Sequence, residues 1–424
     1  MKAHLHSSML FGFLMVWLIS LQSCNNNSQI VWCPETVWSF PLELNGTMMA
    51  YDFKNSDTVV PWSNDMKPIF INYMARHGAR YLSSEKKVER LRSELTEAAQ
   101  KGNLTKAGEE FLTVIQMTDS VTAGNWGALN IVGMEEEQRL GKEMYSIAPS
   151  LLKSGKIEAR ATYVPRVVMT MYELCHELAR SSSDIEISTM EGKQYNPLLR
   201  YFKVDSDYAN YIENGPWKKT YDEYASHTIP VTPAAKLFHT SPDDKKLREL
   251  VMDMYGVLQS LPASGLYAPV KEWFSQEEYT DCWKVDNLQH YYQRSISKFS
   301  DIAARSATPL LNDIIESADQ AIAGKSSLAA SLRFGHAETV IPLFALMRLP
   351  GCYAPDCTAE NTAENWKDWE VSPLGANLLM VLLKDSKGNI NVALRLNGKW
   401  VDTDGEKIIP WSKMKTLWQS YMQE

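Results

Sequence analysis

Two textures of apolar residues run along this chain. One is a short, nearly continuous run, Pro68-Ile69-Phe70-Ile71-Asn72-Tyr73-Met74, of the kind that fills a strand buried on both faces. The other is periodic. Val88, Leu91, Leu95 and Ala98 recur every three or four residues and predict an amphipathic helix. Phe111, Val114, Ile115 and Val121 predict a second helix, and Met134 to Leu152 a third. Ile157, Ala159, Ala161 and Tyr163 alternate with polar or charged neighbours, a strand signature. Val167, Val168, Met171, Leu174, Cys175 and Leu178 then share one helical face, on which His176 reads as a packed core histidine.

From about Ser181 to Phe299 the pattern changes to a mixture of Tyr, Trp, Lys and Asp, broken by Pro197, Pro216, Pro230, Pro233 and Pro242. No run there has the look of a buried parallel strand, so a mostly α-helical insertion is predicted. Strand patterns return at Ser327 to Phe334, Asn377 to Leu383 and Ile390 to Leu396, with a helix over Thr339 to Met347. Strands alternating with helices imply an α/β domain with a largely parallel sheet flanked by helices. The expected organisation is a signal peptide over 1–23 and a tether and lead-in over 24–65. The α/β domain follows in two parts, 66–180 and 301–424, around a helical insertion at 181–300.

Composition narrows the class. Thirteen Trp, 19 Tyr and 12 Phe in 424 residues require a large packed core, which excludes a disordered chain. With 43 Lys plus Arg against 51 Asp plus Glu, the net charge of −8 argues against a general nucleic-acid binder. At the start, Lys2 precedes a 13-residue apolar run, Met9 to Leu21, shorter than the ~20 residues a membrane-spanning helix needs. It ends in Leu21-Gln22-Ser23-Cys24, which resembles a bacterial lipobox with Cys24 as the lipidated residue; simple cleavage near Ser23 is the alternative. Export is expected either way, to the periplasm or outer surface, and the lipobox reading adds membrane attachment through Cys24. Cys352 and Cys357, on either side of Pro355, are the candidate disulfide of an exported chain. No Cys-x-x-Cys pair occurs and no His lies at helical spacing from another, so no metal site is expected.

The chemistry gathers where strands give way to helices, the place where open α/β sheets bind ligands. The strand at 68–74 runs into Ala75-Arg76-His77-Gly78-Ala79-Arg80, the strand at 157–163 into Val164-Pro165-Arg166, and the strand at 327–334 into Gly335-His336-Ala337-Glu338. Around one phosphate this set makes sense. Arg76, Arg80 and Arg166 could each give paired hydrogen bonds to its oxygens. The His77 imidazole could attack phosphorus, and Glu338 could protonate the departing alkoxide. Taken singly, each junction also has a structural reading: a surface turn, a sheet-edge charge, a helix cap.

Arg76-His77-Gly78-Ala79-Arg80 resembles the signature of the histidine acid phosphatases, within the histidine phosphatase superfamily. Arg333-Phe334-Gly335-His336-Ala337-Glu338-Thr339 is similar to the His-Ala-Glu motif of the multiple inositol polyphosphate phosphatase branch; the wider family carries His-Asp there. Leu129-Asn130-x-x-Gly133 with Gly141, and Arg160-Ala161-Thr162 through Arg166 to Thr170, also resemble family segments in the same order. The resemblance covers most of 65–180 and 325–400. It implies that His77 is the phosphorylated nucleophile, that Arg76, Arg80, Arg166 and His336 bind the phosphate, and that Glu338 donates the proton, without metal or organic cofactor. Two departures are Leu82, where the family usually has Pro, and an acid that is Glu one position later than the usual Asp.

The resemblance therefore implies a phosphomonoesterase acting on inositol polyphosphates such as phytate. The alternatives are a broad acid phosphatase acting on sugar phosphates or bisphosphoglycerate, and a binding lipoprotein without turnover. Lys86 and Lys87 could face a second substrate phosphate, though beside Glu85 and Glu89 they equally suit a solvated helix. Lys193, Lys203, Lys218 and Lys219 could contribute, and nothing in the sequence selects among them. His227, His239 and His290 have no evident partner.

Overall fold

The computed structural model describes residues 35–403 and 405–424. The predicted signal peptide, Cys24 and Cys33 lie outside the described residues. The strands are β1 (Lys67–Arg76), β2 (Lys156–Ala161), β3 (Glu186–Glu191), β4 (Leu328–Gly335), β5 (Asn377–Lys384), β6 (Ile390–Leu396), β7 (Lys399–Trp400) and β8 (Ile409–Pro410). The principal helices are α1 (Glu85–Gln100), α2 (Lys106–Thr122), α3 (Ile131–Ile147), α4 (Pro165–Ser181), α5 (Asp244–Leu258), α6 (Gln276–Arg294), α7 (Thr308–Ile322), α8 (Ala337–Leu346) and α9 (Trp411–Tyr421).

The strands form one sheet in the order β3-β2-β4-β1-β5-β6-β7, with β8 also paired to β6. The expected parallel character belongs to the half that carries the three motif junctions, where β3–β2, β2–β4 and β4–β1 all pair in parallel. Beyond β1 the pairing is antiparallel, because β5 and β6 are joined by a tight turn closed by Asp385 and Asn389, which no parallel pair permits. Along β1 and β5 successive residues enter opposite cores. Phe70, Met74, Leu378, Met380 and Leu382 pack under α7, α8 and α9, while Ile71, Tyr73, Ala75, Leu379 and Val381 pack under α3 and α4. The near-continuous apolar runs have this origin: both faces of each strand are covered.

Four local expectations are revised. β3 lies in the segment expected to hold no strand of the sheet; it is the edge strand, half exposed, so it never needed a continuous apolar run. The helix expected over 134–152 ends at Ile147, and Pro149 opens a separate short turn. His176 is exposed, one position round α4 from the buried Leu174 and Cys175. Cys352 and Cys357 are both free, so the candidate disulfide is absent. Burial holds that loop instead, with the Tyr291 hydroxyl donating to the Ala354 carbonyl at 2.6 Å.

The helical layer also draws on chain outside 181–300. α1 packs on α5, where Arg90 Nε donates to Asp253 at 2.5 Å, and Trp273 Nε1 donates to the Ala107 carbonyl of α2 at 3.0 Å.

Candidate active site

Register brings the three junctions together. Arg76 pairs with Gly335 and Ala161 with Phe334, so β2, β4 and β1 end side by side and release their next residues at one edge. His77 follows β1, Arg166 opens the first turn of α4, and His336 stands immediately before α8. Backbone bonds tie the junctions to each other: His77 N donates to the Gly335 carbonyl at 3.1 Å, and Thr162 N to the Phe334 carbonyl at 3.3 Å.

His77 is 3% exposed. Its Nδ1 lies 3.0 Å from the Gly78 carbonyl, which can only accept, so Nδ1 carries the proton and Nε2 keeps a free lone pair. Burial holds the imidazole well below its ordinary pKa, and Arg166, Arg76, Arg80 and His336 push in the same direction. The ring is therefore neutral. Arg76 is equally buried, with Nη1 donating to the Thr47 and Ser372 carbonyls at 2.6 Å each. Arg80 donates to the Tyr81 carbonyl at 3.0 Å. In Arg76, Arg80 and Arg166 the Nε is buried without a hydrogen-bond partner. Burial lowers all three guanidiniums, and Arg76 and Arg80 are lowered further by the other arginines of the site, which marks a shared positive field.

The His336 ring stands 5.8 Å from the His77 ring, at 76°. Its Nε2 is 3.2 Å from the Thr162 hydroxyl, and burial first, then Arg166, Arg200 and Arg76 against Glu338, bring its pKa down to about 3. Glu338 sits in the first turn of α8 with its side chain 35% exposed. Burial works to raise its pKa, but Arg294, His336, its own backbone N–H and Arg76 outweigh this and hold the carboxyl below the usual carboxylate range. Arg294 Nη2 lies 3.5 Å from Glu338 Oε1. Such a site can receive a phosphate dianion, offer it a neutral imidazole, and place one carboxyl group among the same charges.

The loop carrying His77 is braced from α3, and this explains the Asn-x-x-Gly resemblance. Asn130 caps α3 by accepting the Gly133 N–H at 3.0 Å, while its amide donates to the Ala263 carbonyl at 2.9 Å. Gly133 must lack a side chain, since a Cβ there would lie 2.1 Å from the Ala79 carbonyl oxygen. Glu136 then accepts the Ala79 N–H at 2.7 Å and the Tyr51 N–H at 2.9 Å. Burial raises it to about 7 against those two bonds and Arg76. A bridge pairs Arg80 with Leu129, and the Leu82 carbonyl accepts the Gly127 N–H at 3.0 Å, so the loop is pinned without the family's usual Pro.

Other candidates fall elsewhere. Lys87 turns its ammonium against Gly256 on α5, where its charge also reaches Asp253, and Lys86 is exposed. Arg160 and Arg333, inside the resembling motifs, pair with Asp313 of α7; Arg333 Nε donates to it at 2.6 Å from a fully buried position. His227 and His239 are exposed. His290 acquires a partner, Asp368 Oδ2 at 2.8 Å. With Asp286 these two place ligand atoms within 4.8 Å of one another, but Asp368 is already satisfied by His290 and by Trp283 Nε1 at 3.0 Å. Sequence reading missed Arg294, Arg200 and Glu136. Of these only Glu136 lies on a helix whose span the sequence predicts.

No curated protein matches the chain in sequence. Among solved structures, the Bifidobacterium longum multiple inositol polyphosphate phosphatase in complex with inositol hexasulfate superposes with a TM-score of 0.74 at 15% identity, over 89% of this chain and 97% of that one. The phytase from D. castellii gives 0.71 at 14% identity, over 90% and 85%. The Klebsiella sp. ASR1 phytase gives 0.52 at 14%, over 84% and 96%. These likenesses establish a shared fold. Residues 69–397, from β1 with its Arg-His-Gly-x-Arg loop to just past the end of β6, match the model of the histidine phosphatase superfamily, branch 2, and the chain belongs to that family.

Proposed function

We propose that this chain hydrolyses phosphomonoesters of inositol polyphosphates, phytate among them, through a phosphohistidine formed on His77. The observation that carries the reading is the neutral His77 ring, its Nδ1 committed to Gly78 and its Nε2 free, beside three guanidiniums with unpartnered donors. In the first step Nε2 bonds to phosphorus, the P–O ester bond breaks, and Glu338 gives its proton to the alkoxide. In the second, water attacks phosphorus, the P–N bond breaks, and the proton lost by water returns to Glu338. Arg76, Arg80, Arg166 and His336 hold the phosphoryl oxygens through both steps. The substrate class draws support from the solved relatives, among them an inositol polyphosphate phosphatase bound to inositol hexasulfate and two phytases.

The test is phosphate release from phytate with EDTA present, at acidic and neutral pH. Sustained release is expected. Release from nitrophenyl phosphate but not from phytate would keep the chemistry and discard the substrate, and no release from either would leave a binding protein. We also propose, from Leu21-Gln22-Ser23-Cys24 alone, that the chain is exported and lipid-anchored. Mass spectrometry of the mature N-terminus should find acylated Cys24, and an unmodified terminus would reduce the anchor to plain secretion.

A further inference from the structure

One face of α6 carries polar contacts that neither the core nor the reaction scheme uses. Tyr279, Trp283, Asn287, His290 and Arg294 recur every three or four residues, which stacks them along a single side of the helix. The Tyr279 hydroxyl donates to Asn45 Oδ1 at 2.9 Å. Trp283 Nε1 donates to Asp368 Oδ1 at 3.0 Å, and His290 Nδ1 to Asp368 Oδ2 at 2.8 Å. Asn287 accepts the Asp368 N–H at 2.8 Å and donates to the Trp366 carbonyl at 3.0 Å. Asn45 and Asp368 are both buried. Arg294, at the end of the same face, stands beside Glu338.

Asn45 and Asp368 head the two segments that grip Arg76. Asn45 leads through Gly46 to Thr47, and Asp368 opens a short helical turn, Asp368–Val371, that ends at Ser372. The segments meet at Gly46. Its φ of +54° suits glycine, and a Cβ there would lie 2.8 Å from Asp368 Oδ2. The Thr47 and Ser372 carbonyls then accept from the same nitrogen, Arg76 Nη1. A guanidinium carries its five N–H donors in one plane. Two carbonyls on one nitrogen fix that plane and leave the edge made by Nε and Nη2, of which Nε is buried with no partner in the protein. Such an edge is the fork that gives two parallel bonds to phosphate oxygens.

We infer that this face of α6 is a positioning spine for the reaction. Through Asn45 and Asp368 it sets the two carbonyls that orient Arg76, and through Arg294 it places Glu338. One rigid helix thus keeps the guanidinium that holds the phosphate and the acid that serves the leaving group in a common register. Tyr279 and His290 are positioning residues in this scheme, acting on the phosphate only through Arg76. The inference rests on the reading of Arg76 as a phosphate ligand and deepens it.

The experiment compares wild type with Tyr279→Phe, His290→Phe and His290→Asn, each alone and combined with Arg76→Lys. It titrates inorganic phosphate and inositol hexasulfate, and measures urea unfolding beside them. Tyr279→Phe and His290→Phe should each weaken both anions by about three- to tenfold, the worth of one hydrogen bond passed on to Arg76. His290→Asn, which keeps an N–H donor near the place of Nδ1, should recover part of that loss. With Arg76→Lys the fork is gone, so the further cost of either Phe variant should fall below about twofold. A role in stability alone would lower the urea midpoint and leave anion affinity intact, and that result overturns the inference. So does an undiminished cost in the Arg76→Lys background. Wild type that bound neither anion would remove the phosphate reading of Arg76 together with this inference. Wild type that bound phosphate, with variants that bound it equally well, would remove this inference alone. Should His290→Phe fold poorly, Tyr279→Phe decides, because its ring keeps the packing against Trp38, Phe40, Tyr255 and Phe274.

Discussion

Replacing His77 by alanine is expected to abolish phosphate release from phytate and nitrophenyl phosphate alike, with kcat lower by roughly 10⁴-fold or more. The size follows from what the residue supplies. Its Nε2 is free and neutral, because Nδ1 is committed to the Gly78 carbonyl and burial disfavours the charged ring. The neighbouring imidazole offers no ready substitute, since His336 Nε2 already faces the Thr162 hydroxyl. Binding should survive, because Arg76, Arg80 and Arg166 remain, so the variant should still bind inositol hexasulfate. Near-normal turnover in the variant would end the mechanism. The same depressed pKa has a consequence for stability. Below about 6.5 the unfolded chain takes up a proton at His77 that the native chain refuses, so wild-type stability falls with pH through that window. The alanine variant lacks this liability. Measured by urea unfolding, the stability of the variant relative to wild type should rise between pH 7.5 and pH 5; an unchanged difference would mean that the native ring takes up its proton as readily as the unfolded one.

The parts of this site that could be read from the sequence are those whose position follows from the sheet. β1 and β4 announce themselves because both of their faces are covered, and β2 because its buried residues alternate with polar ones. Once they are parallel neighbours, Arg76, His77, Arg166, His336 and Glu338 must emerge at the same edge. Arg200 and Arg294 follow no such rule. Each belongs to the helical segment and reaches the site through tertiary packing, Arg200 through Thr339 and Arg294 from the last turn of α6. Glu136 is an intermediate case. Its helix was legible, but a buried carboxylate that accepts two backbone N–H groups looks in sequence like any other glutamate of Glu135-Glu136-Glu137. β3 was missed for the opposite reason: an edge strand has one neighbour and partial solvent contact, so its six residues lack the apolar run that marks the others. The Cys352–Cys357 pair shows the limit of spacing arguments, since burial of both thiols in the core leaves the loop ordered without a bond between them.

Glu338→Gln is expected to slow phosphohistidine formation from phytate by ~10²–10⁴-fold, about 2.7–5.4 kcal/mol of barrier, and formation from nitrophenyl phosphate far less. An inositol alkoxide leaves poorly unless protonated, whereas nitrophenolate leaves without help. In the free protein the carboxyl is ionised, held low chiefly by Arg294 and His336 against burial. Substrate changes that balance. A phosphate dianion among the arginines cancels the field that depresses Glu338 and adds a like charge beside it, both of which raise its pKa. Substrate can also bring the proton, since phosphate monoesters lose their second proton near pH 6. The acid is therefore competent below the pKa it acquires in the complex, and wild-type turnover of phytate should fall as pH rises through that value. Glutamine preserves size and removes both charge and proton, so the alkaline limb should vanish along with most of the rate. Rapid-quench single turnovers, which isolate the first step from the later attack of water, distinguish the two substrates. An equal loss on both would show that Glu338 serves only as the charge partner of Arg294 and His336, and the leaving group would then need another donor.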